Sequence, residues 1–240
     1  MAILNQNVEV LADKSALVKR AKEIVVEQIN KTIETKGRFT IVLAGGSTPK
    51  PLYESLAQES LPWSKIHFFW GDERYVPATD PNSNELMARQ ALFDRIDIPA
   101  ENIHPIKITG DSPQADAQQH EAELKEFFNQ SEGFPTFDLI LLGMGDDGHT
   151  ASLFPHTEAL SVKDSLVTVG NKDGEPRISM TIPLINQANC VLFLVAGENK
   201  RSALQQVFAS VGDDTAYPSR QIKPQGDLLW LLDQAAAAEL

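Results

Sequence analysis

Four apolar segments, each followed by a glycine-rich or charged loop, constrain the fold of this chain most strongly. They are RFTIVLAGG (38–46), KIHFFWGDE (65–73), FDLILLGMG (137–145) and NCVLFLVAGE (189–198). Apolar runs rich in β-branched and aromatic residues are typical of strands buried on both faces. Between these runs, apolar residues recur at helical spacing in 13–35, 83–95, 113–129 and 199–210. This alternation predicts a Rossmann-like α/β fold, in which helices flank a parallel sheet.

The overall composition narrows the class of protein further. No low-complexity linker divides the 240 residues, and NKDGEPR (171–177) is typical of a loop and not of a domain boundary, so we predict a single domain over 1–240. A net charge of −12 opposes binding to nucleic acid or to an anionic membrane surface. No apolar run reaches the ~18 residues that span a bilayer, and the N-terminal MAILNQNVEVLADKSA lacks the pattern of a signal peptide. We therefore expect a cytoplasmic protein, either a monomer or a homodimer, that binds neither nucleic acid nor a membrane.

The loop after the first strand, in LAGGSTPKPLYESLA, has the features of an anion site. Gly45 and Gly46 allow backbone N–H groups to approach a ligand closely. Ser47 or Thr48 is a candidate cap for the following helix, and Pro49 suits its first turn. The start of a helix offers free N–H groups and a positive dipole end to phosphate. The sequence therefore predicts a phosphate-binding loop here.

The third loop, in LLGMGDDGHTASLFP, has the G-x-G-x-x-G spacing of a dinucleotide site but not its chemistry. Asp146 and Asp147 would repel a pyrophosphate, and Pro155 follows too soon for a long helix. A carboxylate beside His149 can instead fix the imidazole tautomer, so that the other ring nitrogen accepts a proton. The sequence predicts a catalytic histidine and leaves open which of the two aspartates contacts it.

Charged residues elsewhere would complete a site for an anionic ligand. Asp72 and Arg74 follow the second strand, where they could orient or polarise a substrate. Arg177 and Lys200 are candidate phosphate ligands, because an anion held by so acidic a protein needs local cations. The five histidines show no H-x-x-x-H or H-x-H pairing, and the single cysteine, Cys190, has no partner and lies in an apolar run. We therefore expect a buried thiol, no metal and no cofactor.

Six segments together resemble the 6-phosphogluconolactonase family, which is related in fold to glucosamine-6-phosphate deaminase. In order along the chain they are LAGGSTP, WGDERYVP with NSN, LGMGDDGHTASLFP, PRISMTIPLIN, AGENKRSAL and IKPQGDLLWLLD. GDER differs from the MDEY-like stretch of deaminases, and DGHTASLFP differs from DGHIAFNEP, so both favour the lactonase branch. Ser219 stands where we would expect alanine, at a position that we expect to lie outside the chemistry.

The resemblance implies a metal-free hydrolase that opens 6-phospho-D-glucono-1,5-lactone to 6-phospho-D-gluconate in the oxidative pentose phosphate pathway. His149 would be the general base on the attacking water, oriented by Asp147. Arg74 or backbone N–H groups would stabilise the oxyanion, and Asp72 would orient sugar hydroxyls or Arg74.

The resemblance also implies that the phosphate of this sugar-phosphate lactone binds to the loop after the first strand and to two cations. The residues proposed to bind it are Gly45, Gly46, Ser47, Thr48, Arg177 and Lys200.

Three other functions remain open at this point. The same scaffold could support sugar-phosphate isomerisation or deamination. GGST is a near match to a nucleophile elbow, and a serine hydrolase would use Ser47, Asp72 and His149 in that order along the chain. The third alternative is a sugar-phosphate sensor without catalysis.

Overall fold

The computed structural model describes residues 7–240 of the chain, and residues 1–6, the start of the stretch assessed for a signal peptide, lie outside it. Its strands are β1 (Val8–Leu11), β2 (Phe39–Leu43), β3 (Ile66–Trp70), β4 (Asp72–Arg74), β5 (Ile103–His104), β6 (Leu139–Leu142), β7 (Val167–Lys172), β8 (Glu175–Met180), β9 (Cys190–Val195) and β10 (Asp227–Asp233). Its α-helices are α1 (Lys14–Lys36), α2 (Lys50–Leu56), α3 (Asn84–Ala91), α4 (Pro113–Phe128), α5 (Ile182–Asn186), α6 (Arg201–Phe208) and α7 (Gln234–Ala237).

Seven strands form a parallel sheet in the order β1-β10-β9-β6-β2-β3-β5. The chain runs outward from β2 through β3 to β5, and then returns to the other side of β2 to add β6, β9 and β10. The strand order therefore reverses between β2 and β6. In open parallel sheets, ligands bind beyond the carboxyl ends of the strands at such a reversal.

The predicted α/β fold is confirmed, and each of the four apolar segments contains one strand of the parallel sheet. Every residue of β2, β6 and β9 is buried, and β3 has one half-buried residue. Cys190, at the start of β9, is 2% exposed, and burial raises the pKa of its thiol to about 12. The prediction of a buried thiol is therefore confirmed.

The helices begin and end close to the predicted positions. Asp13 precedes α1 and accepts a hydrogen bond from the N–H of Ala16, and Gly37 ends the helix in the left-handed conformation. Ser83 caps α3 and Ser112 caps α4 in the same way as Asp13 caps α1. At these three helices, the residue before the first turn supplies the capping acceptor.

A second sheet of three antiparallel strands, in the order β4-β8-β7, was not predicted. We expected a loop at 171–177, but β7 and β8 form a hairpin that turns at Asp173 and Gly174. Pro176 is accommodated in β8 because it lies beyond the reach of β4, which pairs only with 177–179. The expected charged loop after β3 forms strand β4, because β8 supplies its hydrogen-bonding partner.

His120 of α4 is a buried side chain whose ring nitrogens have no hydrogen-bond partner among residues 7–240. Burial is the largest effect on its pKa and lowers it to about 4. His104 and Lys107 act in the same direction, and Glu123 opposes them. The folded protein therefore holds this imidazole neutral at pH values where the unfolded chain protonates it.

We expect His120→Leu to weaken the acid sensitivity of the fold. Above its ordinary pKa of 6.5, neutral His120 leaves the free energy of unfolding at its full value. As the pH falls from 6.5 to about 4, this free energy decreases, because the unfolded chain binds the proton and the folded chain does not. At about 1.4 kcal/mol for each pKa unit, this loss is on the order of 3 kcal/mol. Urea unfolding at pH 7 and pH 4 measures it, with Gln118→Leu on the exposed face of α4 as the control. An equal decline for the variant and the wild type would contradict this assignment.

No α-helix within residues 7–240 has both the length and the apolar content needed to cross a membrane. No group of three or more His, Cys, Asp or Glu side chains in the same part of the chain could hold a metal ion.

Candidate active site

A cavity of about 420 Å³ opens at the carboxyl ends of the parallel strands. Its walls come from the loops after β2, β6 and β9, together with residues of β4 and β8 in the second sheet. Because β2 and β6 lie on either side of the strand-order reversal, the cavity occupies the position where this architecture binds ligands. The segments singled out in the sequence are brought together here.

The loop after β2 lines the cavity through Gly45, Gly46, Ser47 and Thr48. The hydroxyl of buried Tyr53 fixes the start of this loop, since it accepts from the N–H of Ala44 and donates to the carbonyl of the same residue. On the outer side, Lys14 Nζ donates to the carbonyl oxygen of Ser47 at 2.9 Å. The loop is therefore held at both ends by side chains from helices.

The predicted helix cap in this loop is wrong. Helix α2 begins at Lys50, and neither Ser47 nor Thr48 accepts a hydrogen bond from its first turn. Pro49 occupies the cap position with helical dihedral angles (φ −77°, ψ −21°), whereas capping side chains require an extended backbone. Ser47 and Thr48 form a turn before the helix, which leaves their side chains unused by the helix end.

His149 lines the cavity and pairs with Asp147, not with Asp146. Its Nδ1 lies 2.6 Å from Asp147 Oδ1, and the same oxygen accepts from the backbone N–H of His149 at 3.0 Å. Partial burial raises the pKa of Asp147, but the hydrogen bonds from His149 outweigh this and lower the pKa to about 2. An ionised carboxylate only accepts hydrogen bonds, so Nδ1 carries the proton and Nε2 is left as an acceptor.

A close contact accounts for the glycine at position 145. A Cβ atom added to Gly145 would overlap the ring of His149 and Oδ1 of Asp147. The backbone folds tightly around the pair, since the N–H of Gly145 donates to the carbonyl of His149 at 2.8 Å. The glycine at this position therefore makes room for the imidazole–carboxylate pair.

Ser219 does not line the cavity, but it contacts the loop that carries His149. Both its hydroxyl and its backbone N–H donate to the carbonyl of Gly148, at 2.8 and 3.0 Å. Tyr217 packs directly against Gly148 from the same segment. The segment before β10 therefore holds the loop that carries His149 in place.

Asp72 is 8% exposed and lies at the cavity wall in β4. Its Oδ2 accepts from the hydroxyl of Ser152 at 2.6 Å, and its Oδ1 lies 3.5 Å from Nδ2 of Asn84. Arg74, which the sequence allowed as a partner, donates instead to the carbonyl of Asn82. Asp72 is thus oriented by two neutral side chains, one at each carboxylate oxygen.

Two guanidinium groups converge on the cavity because β4 and β8 pair in register. Arg74 lies directly opposite Arg177 across the two strands, and both line the cavity. Burial, and next the charge of Arg74, lower the pKa of Arg177 below its usual range. The negative charges of Asp72, Glu175 and Glu73 oppose this effect, but the ion pair that Arg177 forms is a long contact of 3.9 Å to the exposed Glu175. Two cations this close favour binding of an anion.

Lys200 reaches the cavity from the loop after β9. The N–H of Gly197 in this loop donates to the carboxylate of Asp233 at the end of β10, which fixes the loop against the sheet. No carboxylate in residues 7–240 forms an ion pair with the Lys200 ammonium. Its charge is therefore available to a ligand.

The serine-hydrolase arrangement is not assembled. Although Ser47, Asp72 and His149 all line the cavity, no hydrogen bond joins Ser47 to His149 in the described chain. His149 pairs with Asp147, and Asp72 pairs with the hydroxyl of Ser152. A serine nucleophile needs a base within hydrogen-bonding reach.

Among the residues that sequence reasoning missed, Asn84 and Lys172 line the cavity, and Ser152 contacts Asp72 from behind the wall. Lys172 ends β7, and its role depends on the hairpin that was taken for a loop. Asn84 and Ser152 belong to segments that carry the family resemblance, NSN and TASLFP, but nothing in their local pattern separates them from capping residues. Their position became visible only from tertiary contacts with Asp72.

The comparisons with known proteins agree with this geometry. The family model described as glucosamine-6-phosphate isomerases/6-phosphogluconolactonase matches residues 12–230. A 6-phosphogluconolactonase from Nostoc sp. is 60% identical, with 99% of each chain covered. The crystal structure of 6-phosphogluconolactonase from Thermotoga maritima superposes with a TM-score of 0.82 at 33% identity, covering 95% of this chain and 99% of that one.

A monomeric glucosamine-6-phosphate deaminase superposes with a TM-score of 0.81 at 21% identity, covering 98% of this chain and 100% of that one. At this identity the likeness shows the shared fold alone. Together with the match over residues 12–230 and the full-length relatives, it confirms the predicted fold class. The chain belongs to the glucosamine-6-phosphate isomerase/6-phosphogluconolactonase family.

Proposed function

We propose that this chain hydrolyses 6-phospho-D-glucono-1,5-lactone to 6-phospho-D-gluconate, a step of the oxidative pentose phosphate pathway. The observation that carries the proposal is the His149–Asp147 pair in a cavity that also holds Arg74, Arg177 and Lys200. A base beside several cations suits an ester that carries a phosphate. The name 6-phosphogluconolactonase of the 60%-identical Nostoc relative supports the same reaction.

His149 acts as the general base in this proposal. Nε2 removes a proton from water, whose oxygen attacks the lactone carbonyl carbon and forms a tetrahedral oxyanion. Collapse of this intermediate breaks the bond from the carbonyl carbon to the ring oxygen, and the imidazolium returns the proton to that oxygen. Asp147, ionised above pH about 2, holds the ring and stabilises its positive charge. The new carboxylic acid then ionises in water.

The cations have two roles, since one stabilises the charge on the reacting carbonyl and the others bind the phosphate. Arg74 stabilises the oxyanion, because a positive charge aimed at developing negative charge lowers the barrier most. Gly46, Ser47 and Thr48 hold the phosphate with Arg177 and Lys200. Gly45 belongs to the same phosphate-binding loop and also lines the cavity. Phosphate binding is remote from the carbonyl, so it mainly positions the ester.

The decisive experiment is a pH-stat assay on freshly prepared 6-phosphogluconolactone, measured against its spontaneous opening. Acid release well above the spontaneous rate is the expected result. Release of ammonia from glucosamine 6-phosphate would instead favour the deaminase reaction of the same family. A thermal shift by sugar phosphates without any turnover would favour a sensor, and both of these outcomes would overturn the proposal.

We expect Lys200→Ala to weaken recognition of the phosphate specifically. Loss of a charge-assisted hydrogen bond should raise KM for the phosphorylated lactone by about 10- to 100-fold with little change in kcat. The kcat/KM for glucono-1,5-lactone, which lacks phosphate, should stay near the wild-type value. Lys223→Ala is the control, since this exposed lysine lies just before β10, at the opposite end of the sheet. An equal loss on both substrates would contradict a phosphate role.

A further inference from the structure

Asn84 is a buried side chain in the cavity wall that the mechanism above does not use. It is 2% exposed and is the first residue of α3. Its Nδ2 donates to the carbonyl of Asp72 at 2.9 Å, which fixes the orientation of the amide, because the reversed orientation would set two oxygens against each other. No described residue donates to its Oδ1. This oxygen is not among the fully enclosed polar atoms that lack a partner, so it is accessible from the cavity that Asn84 lines, and a ligand there is the candidate donor.

The position of Oδ1 in the cavity is defined by the loop after β2. A Cβ atom added to Gly45 would overlap the amide group of Asn84, with Oδ1 as the nearest atom. The amide oxygen therefore lies directly against the phosphate loop on one side, while the nitrogen of the same group reaches Asp72 on the other. Glycine at position 45 leaves the space that Asn84 occupies.

Glu73 locks Asn84 in this position. Its carboxylate accepts from the backbone N–H groups of Asn84 and Glu85 at 2.7 and 2.8 Å, and from the hydroxyl of Ser83 at 3.0 Å. The Glu73 carboxylate also accepts from the N–H of Arg74 at 2.8 Å, so it connects strand β4 to the start of α3. The acceptor on Asn84 is preorganised, and a ligand binding to it loses little side-chain entropy.

We infer that Asn84 Oδ1 accepts a hydrogen bond from a ring hydroxyl of the sugar lactone, beside Asp72 Oδ1, and so selects polyhydroxylated substrates. This inference rests on the proposed function. Nδ2 of Asn84 lies 3.5 Å from Asp72 Oδ1, so the two acceptor oxygens belong to neighbouring groups on one wall. A neutral amide also suits an anionic substrate better than a second carboxylate beside Asp72 would.

The test compares kcat/KM for wild type and Asn84→Ala on 6-phosphogluconolactone and on its 2-deoxy, 3-deoxy and 4-deoxy analogues. We expect the variant to lose about 10-fold on the parent lactone. On the one analogue that lacks the partner hydroxyl, variant and wild type should be equal, because the interaction is already absent. Asn84→Ser, which is suited to the start of a helix, should give the same pattern. Asn30→Ala, an exposed asparagine of α1, should match wild type on all four substrates.

Equal losses on all four substrates would overturn the inference and leave Asn84 with a purely structural role. The proposed function is tested separately by wild-type turnover of the parent lactone. Wild type without turnover would overturn that function and this inference with it, whereas turnover with equal losses would overturn the inference alone. Thermal unfolding of both Asn84 variants shows whether a uniform loss comes from a damaged fold.

Discussion

His149→Ala is expected to lower kcat by about 10²- to 10⁴-fold while KM changes only a few-fold. The variant retains the cations that bind the phosphate, so the substrate still occupies the cavity, but no group remains to take the proton from water. Initial rates on 6-phosphogluconolactone, corrected for spontaneous opening, give kcat, and binding of the product 6-phosphogluconate gives an independent affinity. Asp147→Asn should lower kcat as well, since it removes the charge that orients and stabilises the imidazolium.

His156→Ala is the matched control for this prediction. His156 lies in the same segment as His149, but it is exposed and its Nδ1 lies 3.2 Å from the hydroxyl of Thr215. We expect this variant to keep the wild-type kcat. Wild-type kcat in His149→Ala would show that another group, or water alone, acts as the base.

Gly145→Ala is expected to reduce kcat by about 10²-fold or more, although alanine is the smallest possible addition. The new Cβ atom would overlap both members of the His149–Asp147 pair, so the imidazole must shift. A displacement of about 1 Å between catalytic groups and substrate costs on the order of 10²-fold in rate. The rate should fall while the affinity for 6-phosphogluconate is largely kept.

Gly143→Ala, in the same loop, tests whether the effect comes from overlap and not from the loss of a glycine. Nothing lies within 4 Å of a Cβ atom added at Gly143, and the backbone there has no positive φ. Its effect on kcat should therefore be much smaller. Similar losses in the two variants would contradict the steric explanation.

Four strands of the parallel sheet, β2, β3, β6 and β9, could be predicted because they are buried and so appear as continuous apolar runs. The second sheet could not, because β4 consists of Asp72, Glu73 and Arg74 and has no apolar pattern. Its extended conformation comes from pairing with β8, about a hundred residues later in the chain. Such non-local pairing overrides local propensity.

The site was predictable where glycine or charge marked the end of a buried strand, as at Gly46 and His149. It was not predictable where a role depends on which way a side chain turns. Asp146 and Asp147 are chemically identical, and only the tight turn at Gly145 decides which of them meets the imidazole. Ser219 could not be connected to the histidine loop either, since 71 residues separate it from Gly148.

The walls of the cavity come from five stretches of chain between the loop after β2 and the loop after β9. A nascent chain therefore cannot hold substrate until residues near 200 have emerged and docked. With the proposed function, only the finished fold binds sugar phosphate, so the ligand would stabilise the folded chain and leave partly synthesised or partly unfolded forms without that protection.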